Sequence, residues 1–243
     1  HTMWEEYVHY VLGGRVLRPA MVRRIVRRFL RGMDGVIAPS VKIADYLHTV
    51  RPGLSTTIIS NGIDIGRISS LLPSPEARLR LRERLGFRED DVVIAFVGRI
   101  GVEKRVFQLL DVASAAVQSD PRLRVLVVGD GPALPTLMRA AAAGPASHAV
   151  RFTEAIPWES IIPYYAAADV FLTVSLSEVQ PMTVIEALAC GLPIIARRDS
   201  CYTGLVQDGV NGYLVDQDQE AVGRILELAR DRALCERCAC ASR

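Results

Sequence analysis

From residue 76 onward, short apolar runs alternate with segments of helical period. The runs 92–97 and 123–128 are rich in Val, Ile and Leu and have the length of buried strands, and segment 134–143 has apolar residues at helical spacing. Strands that alternate with helices form a parallel sheet covered by helices on both faces, so the sequence predicts an α/β fold. The predicted strands are 92–97, 123–128, 150–153, 170–176, 194–196 and 212–215, and the predicted helices are 76–85, 104–117, 134–143, 159–168, a short helix after 181, and 221–229.

The composition excludes several classes of protein. The chain has 243 residues, half of them hydrophobic, which suffices for one or two domains with a sizeable core. Its net charge of +2 is too small for an electrostatic nucleic-acid binder, and no apolar run reaches the length of a transmembrane helix. The five cysteines are irregularly spaced and favour reduced thiols, so we expect neither a metal site nor a cofactor.

A basic amphipathic helix is predicted near the start of the chain, within residues 18–31. Its apolar residues fall on one helical face, and arginines cover the other sides. Such a helix can lie on an anionic membrane surface, or it can pack inward and expose its arginines to solvent. The apolar set is Val22, Ile25, Val26, Phe29 and Leu30, and the basic set is Arg23, Arg24, Arg27, Arg28 and Arg31.

Beyond this helix, the first part of the chain has two more predicted strands, 36–38 and 56–59. A helix is predicted between them over 41–50, with Ser40 as its N-cap. Residues 61–75 contain Gly, Ser and two Pro, which is typical of an inter-domain connection. The predicted domains are residues 1–66 and residues 67–243.

Two strand ends carry loops suited to an anion. In parallel sheets, ligands bind outside the carboxyl ends of the strands. After strand 92–97, Lys104 and Arg105 stand at the start of a predicted helix, where cations oppose the macrodipole. A bound diphosphate would resolve this conflict, with Arg99 able to bind it bidentately, although Glu103 and solvent could also offset the charge. After strand 123–128, the glycines of loop 129–132 permit close approach of the backbone to a ligand.

A third loop lies between strand 170–176 and the short helix that follows it. Glu178 falls in the turn, and Glu186 falls about one turn into the helix. The amides of Met182 and Thr183 are helix-start donors that suit a phosphate, and the two carboxylates can accept hydrogen bonds from sugar hydroxyls. This chemistry fits a nucleotide-sugar pocket. The alternative is a helix start whose acidic residues merely suit the dipole.

Taken together and in order, these segments resemble the retaining family-four glycosyltransferases of GT-B architecture, in which two Rossmann-like halves face each other. Each segment is a weak signal alone, and their order and spacing make the resemblance specific. Residues 2–10 and 183–188 look most like glucosyltransferases that act on diacylglycerol. The matching segments are 61–64, 98–104, 129–132, Glu178 with seven residues before Glu186, 191–196 and 208–215.

The resemblance implies a role for each candidate residue. Arg99 and Lys104 would hold the donor diphosphate, Glu178 would bind hydroxyls of the donor sugar, and Glu186 would bind the ribose. His1 would contact the transferred sugar. The remaining donor-binding candidates by resemblance are Gly129, Ile156, Gln180, Met182 and Thr183.

One departure from the family pattern concerns the segment between Glu178 and Met182. The family often has glycines there, whereas this chain has Val179, Gln180 and Pro181, and proline has no amide to donate. The resemblance further implies that most of an amino-terminal half would precede His1 and that a closing helix would follow the chain. On that basis, residues 1–243 are expected to bind a nucleotide sugar without transferring it.

The expected partners are a nucleotide-sugar donor, a lipid acceptor and an anionic membrane surface contacted through Arg23, Arg24, Arg27 and Arg28, with no nucleic acid. The expected location is the cytoplasm, peripheral on the inner face of the cell membrane. Three alternatives stay open: a nucleotide-sugar-binding module without turnover, a mannosyltransferase acting on phosphatidylinositol or a polysaccharide, and an epimerase of the same architecture.

Overall fold

The computed structural model describes residues 19–242, and the chain forms two compact units. The first unit contains the described residues up to Gly62 together with the short segments 176–181 and 199–202, and the second unit contains the rest. The chain enters the second unit at Ile63, whereas the sequence placed the boundary after residue 66. His1, a candidate site residue, lies outside the described residues.

The first unit is organised around two parallel strands. Helix α1 (Pro19–Leu30) precedes strand β1 (Gly35–Ala38), and helix α2 (Val41–Val50) connects β1 to strand β2 (Ser55–Ile58). The predicted N-cap of α2 is confirmed, because the Ser40 hydroxyl accepts a hydrogen bond from the Ile43 amide at 3.5 Å. The core of this unit consists of Leu30, Ala38, Ala44, Leu47, Val50 and Leu54.

The second unit contains a six-stranded sheet in which every neighbouring pair is parallel, as the alternating pattern predicted. Its strands are β3 (Val92–Val97), β4 (Leu123–Val128), β5 (Val150–Thr153), β6 (Val170–Thr173), β7 (Ile194–Arg197) and β8 (Gly212–Val215). Their order in the sheet is β5-β4-β3-β6-β7-β8. The direction in which strands are added therefore reverses between β3 and β6, and such a switch point opens a crevice at the carboxyl ends of the strands.

Helices connect the strands of this sheet except between β7 and β8, which segment 198–211 joins without a helix. The apolar faces of the helices pack on the sheet and bury residues such as Ile94, Ala113, Val125 and Ile225. The helices are α3 (Ile65–Leu71), α4 (Pro75–Arg84), α5 (Val106–Ser119), α6 (Leu134–Ala143), α7 (Trp158–Ala167), α8 (Met182–Ala189), α9 (Asp218–Arg230) and α10 (Arg232–Ser242).

Two helices differ from the sequence expectation. The predicted connection 61–75 contains α3, which Asp64 caps by accepting a hydrogen bond from the Arg67 amide at 2.8 Å and which buries Ile68. Helix α10 was not predicted, because its Cys, Ala and Arg residues give a weak periodic signal. It places Cys238 in the core beside α9.

Candidate functional site

The candidate donor loops follow four neighbouring strands of the second unit. Ile156 follows β5, Gly129 follows β4, and Arg99 and Lys104 follow β3. Helix α8, with Glu186, follows β6 along the chain. Because these strands are adjacent and parallel, their carboxyl ends lie along one edge of the sheet, which we call the carboxyl edge.

The loops after β3 and β4 are joined by backbone hydrogen bonds. The Ile100 amide donates to the Asp130 carbonyl at 2.8 Å, and the Ala133 amide donates to the Ile100 carbonyl at 3.0 Å. Gly129 has a φ of +135°, and a Cβ there would collide with the Gly98 carbonyl. The sequence suggested that these glycines let a ligand approach closely. The structure shows a close approach to the neighbouring loop instead, and this accounts for glycine at position 129 independently of any ligand.

The helix after β3 begins later than predicted. Residues Val102–Lys104 form a 3₁₀ turn, Arg105 adopts a left-handed φ of +53°, and α5 starts at Val106 rather than at Lys104. The Arg99 side chain is 52% exposed, and its Nε lies 3.9 Å from Oε1 of Glu103. The basic side chains of this loop thus precede α5, where an incoming anion could contact them.

Glu186 lies on α8 and is only 9% exposed. Its Oε1 accepts a hydrogen bond from Nε1 of Trp158 at 3.0 Å, and its Oε2 accepts one from the Tyr165 hydroxyl at 2.7 Å. Tyr165 is fully buried, and this burial, followed by the Glu186 charge, raises the pKa of its hydroxyl well above the ordinary range. Sequence reasoning missed both donors, although their spacing of seven residues on α7 puts them on one helical face.

Met182 and Thr183 are the first two residues of α8. The amides of a first helical turn have no intrahelical acceptor, and the positive end of the helix dipole favours an anion beside them. Pro181 precedes them, and it is buried. Met182 and Thr183 therefore stay predicted donor-binding residues at the start of a helix.

The loop that carries Glu178 belongs to the first unit. Hydrogen bonds from Lys42 of α2 and from Ser40, the N-cap of α2, hold this loop in place. Lys42 Nζ donates to the Leu176 carbonyl at 2.6 Å and to Asp199 Oδ2 at 2.9 Å. The Ser40 hydroxyl donates to the Val179 carbonyl at 2.6 Å. Glu178 itself is half-buried.

The side chain of Gln180 is engaged within the same unit. Its Nε2 donates to Ser60 Oγ at 2.6 Å and to the Asn61 carbonyl at 3.2 Å, and its Oε1 accepts from the Asn61 amide at 2.9 Å. Gln180 was predicted as a donor-binding residue. The structure gives its side-chain amide a structural role in fixing the loop.

The two aspartates of the segment Asp216-Gln217-Asp218 are paired with arginines. Arg198 binds Asp216 at 3.1 Å, and Arg197 binds Asp218 at 2.5 Å. Within residues 19–242, no group of three or more His, Cys, Asp or Glu side chains is arranged to hold a metal ion.

The apolar residues of α1, which the sequence placed on one helical face, divide into a buried and an exposed group. Val22 and Leu30 are buried in the first unit, whereas Ile25 is 60% exposed and Phe29 is 70% exposed. In the described part of the chain, no helix is both long and apolar enough to cross a membrane.

Comparison with known proteins identifies the family. Residues 77–243 match the family model described as glycosyl transferases group 1, and residues 1–67 match the one described as glycosyltransferase family 4. An alpha-monoglucosyldiacylglycerol synthase of Streptococcus pneumoniae is 33% identical over 227 residues, which cover 93% of this chain and 52% of that protein. A synthase of the same name from Acholeplasma laidlawii is 30% identical over 236 residues, which cover 95% of this chain and 59% of that protein. The chain thus spans little more than half the length of these relatives.

A solved structure shows the same fold. The Anabaena protein HepE, in complex with UDP and glucose, is 24% identical and has a TM-score of 0.79 over 91% of this chain and 61% of that protein. The parallel α/β fold is therefore that of GT-B glycosyltransferases, as the motifs predicted. The chain belongs to the glycosyl transferases group 1 family.

Proposed function

We propose that this protein transfers glucose from UDP-glucose to a membrane lipid such as diacylglycerol, with retention at the anomeric carbon. The family membership supports a glycosyltransferase, and the names of the two relatives support a glucosylated diacylglycerol as product. The single observation that carries the proposal is the carboxyl edge of the second unit, where the basic loop after β3 and the first turn of α8 follow adjacent strands.

The donor diphosphate would bind to two kinds of group. Arg99 and Lys104 supply positive charge, and the amides of Met182 and Thr183 supply directed hydrogen bonds. Glu186 would accept hydrogen bonds from the ribose hydroxyls. Gly129 and Ile156, which follow β4 and β5, would complete the donor pocket through their main chain and apolar surface.

The transferred sugar would be held by Glu178 and His1. Because the Gln180 side chain is bound to Ser60 and Asn61, its contribution to the donor would come from its main chain. In the proposed reaction, the bond between the anomeric carbon and the diphosphate breaks while the acceptor hydroxyl attacks from the same face. The hydroxyl proton passes to the departing phosphate oxygen, and Arg99 and Lys104 stabilise the charge on that diphosphate.

Calorimetry and a transfer assay test this function. UDP and UDP-glucose should bind, and GDP-mannose should bind much more weakly. The whole protein should incorporate labelled glucose into diacylglycerol presented in vesicles, whereas residues 1–243 alone are expected to bind the donor without this transfer. Binding of GDP-mannose in preference to UDP-glucose would contradict the donor assignment, and release of free UDP with an altered sugar and no glycolipid would indicate an epimerase instead.

The proposal includes a peripheral position on the inner face of the cell membrane, with α1 against anionic lipid. Met21, Ile25 and Phe29 form an exposed apolar stripe with four-residue spacing, and Arg24 and Arg28 are exposed beside it. An apolar stripe can enter the headgroup region while neighbouring cations bind anionic lipid. Arg23 and Arg27 would add longer-range attraction, although Arg27 Nε also donates to the Val50 carbonyl at 2.9 Å.

Vesicle co-sedimentation tests this contact. The Arg24→Glu/Arg28→Glu variant should lose most binding to vesicles that contain phosphatidylglycerol, and wild-type binding should weaken as salt rises. The matched control is Arg84→Glu/Arg237→Glu, which changes the net charge equally through exposed arginines of α4 and α10. Equal losses in both variants would show that only overall charge matters, and binding that ignores lipid charge would refute the contact.

A further inference from the structure

We infer that Trp158 and Tyr165, on helix α7, are positioning residues that orient the Glu186 carboxylate toward the ribose hydroxyls of the donor nucleotide. The inference rests on the proposed function, because it requires a nucleotide beside α8. It assigns a role to two residues that neither motif matching nor family membership singled out.

The contacts fix the plane of the carboxylate. Each oxygen of Glu186 receives one hydrogen bond, from Trp158 at 3.0 Å and from Tyr165 at 2.7 Å. A carboxylate held at both oxygens cannot rotate about its last torsion without breaking one of these bonds. Each oxygen can accept a second hydrogen bond, so the pair of remaining acceptor positions points in a fixed direction.

Both donors are neutral, which leaves the negative charge available. In the described part of the chain, no Lys or Arg forms an ion pair with Glu186, although the carboxylate is only 9% exposed. A carboxylate that serves only the fold is normally neutralised when buried. Asp169 of the same unit shows that pattern, since Arg78 binds one of its oxygens at 2.7 Å and Arg82 the other at 3.1 Å.

The donors are themselves held in place. Tyr165 is 0% exposed, and desolvation keeps its hydroxyl protonated, so it remains a donor across the pH range in which proteins are folded. Trp158 is half-buried, and the guanidinium carbon of Arg67 lies 4.5 Å from its ring centroid. This cation–π contact from α3 restrains the indole ring without neutralising Glu186.

The position of Glu186 along α8 suits a ribose. Glu186 follows Met182 by four residues, so both lie on one face of α8, about 6 Å apart along the helix axis. A nucleotide whose diphosphate meets the first-turn amides would therefore extend its ribose toward the carboxylate. The two hydroxyls of the ribose match the two acceptor positions that Trp158 and Tyr165 leave open.

The experiment compares UDP with 2′,3′-dideoxy-UDP, which lacks both ribose hydroxyls, by calorimetry on the whole chain. Wild type should bind UDP more tightly than the dideoxy compound. Tyr165→Phe should lose about tenfold in UDP affinity, the scale of one hydrogen bond to a charged group, and should bind the dideoxy compound unchanged. Tyr164→Phe, the neighbouring half-buried tyrosine of α7, is the matched control and should behave as wild type.

Trp158→Phe keeps the inference testable if the buried Tyr165 variant fails to fold, because Trp158 is partly exposed and its replacement retains an aromatic ring. It should show the same selective loss, with an unchanged melting temperature for the nucleotide-free protein within a few degrees. Equal losses for UDP and the dideoxy compound, or no loss at all, would overturn the positioning role while leaving the proposed function intact. A wild type that binds neither compound would remove the proposed function, and the inference with it.

Discussion

The two edges of the second unit's sheet differ in how their acidic side chains are paired. At the amino edge, an aspartate stands at or shortly before the start of three strands, and each is paired with an arginine. The pairs are Asp91–Arg124 at 3.0 Å, Asp120–Arg122 at 2.7 Å and Asp169–Arg78 at 2.7 Å.

The carboxyl edge differs in the partners of its buried acidic residue. Glu186 accepts hydrogen bonds from the neutral donors Trp158 and Tyr165, whereas Arg99 forms an ion pair with Glu103 at 3.9 Å. The first amides of α8 lack intrahelical acceptors. The comparison shows that each of these amino-edge aspartates has an arginine counter-charge, whereas the buried Glu186 carboxylate at the carboxyl edge has neutral partners.

The largest expected effect is a loss of stability when an ion pair at the amino edge is removed. Asp169→Ala should lower the free energy of unfolding by about 3 kcal/mol, because it leaves the almost fully buried Arg82 without its counter-charge. Urea unfolding followed by tryptophan fluorescence measures the change. Glu83→Ala, an exposed carboxylate of α4, is the control and should stay within about 0.5 kcal/mol of wild type. Similar losses in both variants would contradict the special role of the Asp169 cluster.

The next largest effect is a loss of nucleotide affinity at the carboxyl edge. Arg99→Ala should weaken UDP binding by about 1.5–3 kcal/mol, the value of a hydrogen bond to a charged group, and Lys104→Ala should act in the same direction. The free energy of unfolding should change by less than about 0.5 kcal/mol, since Arg99 is half-exposed. Calorimetry measures the UDP affinity, and urea titration of the same preparations measures the free energy of unfolding. Unchanged affinity in both variants would show that these cations do not face the diphosphate.

Substitutions of the two glutamates should weaken the binding of different ligands. Glu186→Ala should weaken UDP and UDP-glucose alike, by about tenfold, because every nucleotide donor has the ribose. Glu178→Gln should leave UDP affinity unchanged and weaken only the UDP-glucose complex, since its proposed partner is the sugar. Titrations of both ligands against both variants provide the measurement. If Glu178→Gln weakens UDP alone as strongly as Glu186→Ala does, the two roles have been assigned wrongly.

The smallest effect is a pH dependence at the amino edge. The hydrogen bond from Arg122 lowers the pKa of Asp120, against the opposing effect of burial. A lowered folded-state pKa contributes stability above the unfolded-state pKa, about 3.9, and this stability is lost as pH falls through the lower folded value. Because Arg122 is about half-exposed, the contribution should be under about 1 kcal/mol. Urea midpoints of wild type and Asp120→Asn should differ at pH 6, and the difference should shrink as pH falls below the unfolded-state pKa. A constant difference would mean that the charge is not responsible.

The sequence predicted the sheet well and the site only in outline. Runs such as 92–97 are unbroken and apolar, so the strands of the second unit could be read from local pattern alone. Helix α3 was missed because Gly66 and two serines lower its helical propensity, while tertiary burial of Ile68 stabilises it. The start of α5 was predicted too early. Neither Lys104 nor Arg105 is a residue type that predicts a left-handed backbone conformation, which Arg105 adopts.

The partners of Glu186 could not be predicted for a different reason. Trp158 and Tyr165 precede it by more than twenty residues, and their approach depends on how α7 and α8 pack on the sheet. Local pattern gives the face on which a side chain lies, but it does not give which helix comes to meet that face. The residues that motifs can find are therefore those at strand ends, whereas their supports are visible only in the fold.

The joined loops after β3 and β4 also limit which substitutions this region can accept. The Gly98 carbonyl occupies the space of a Gly129 side chain, so any larger residue at position 129 would displace the loop after β3 as well as its own loop. The bonds that link Ile100 to Asp130 and Ala133 are made by the backbone, so they hold the two loops together without fixing the side chains at those positions. The conformations of the two loops are therefore set together, and a substitution at position 129 would alter both.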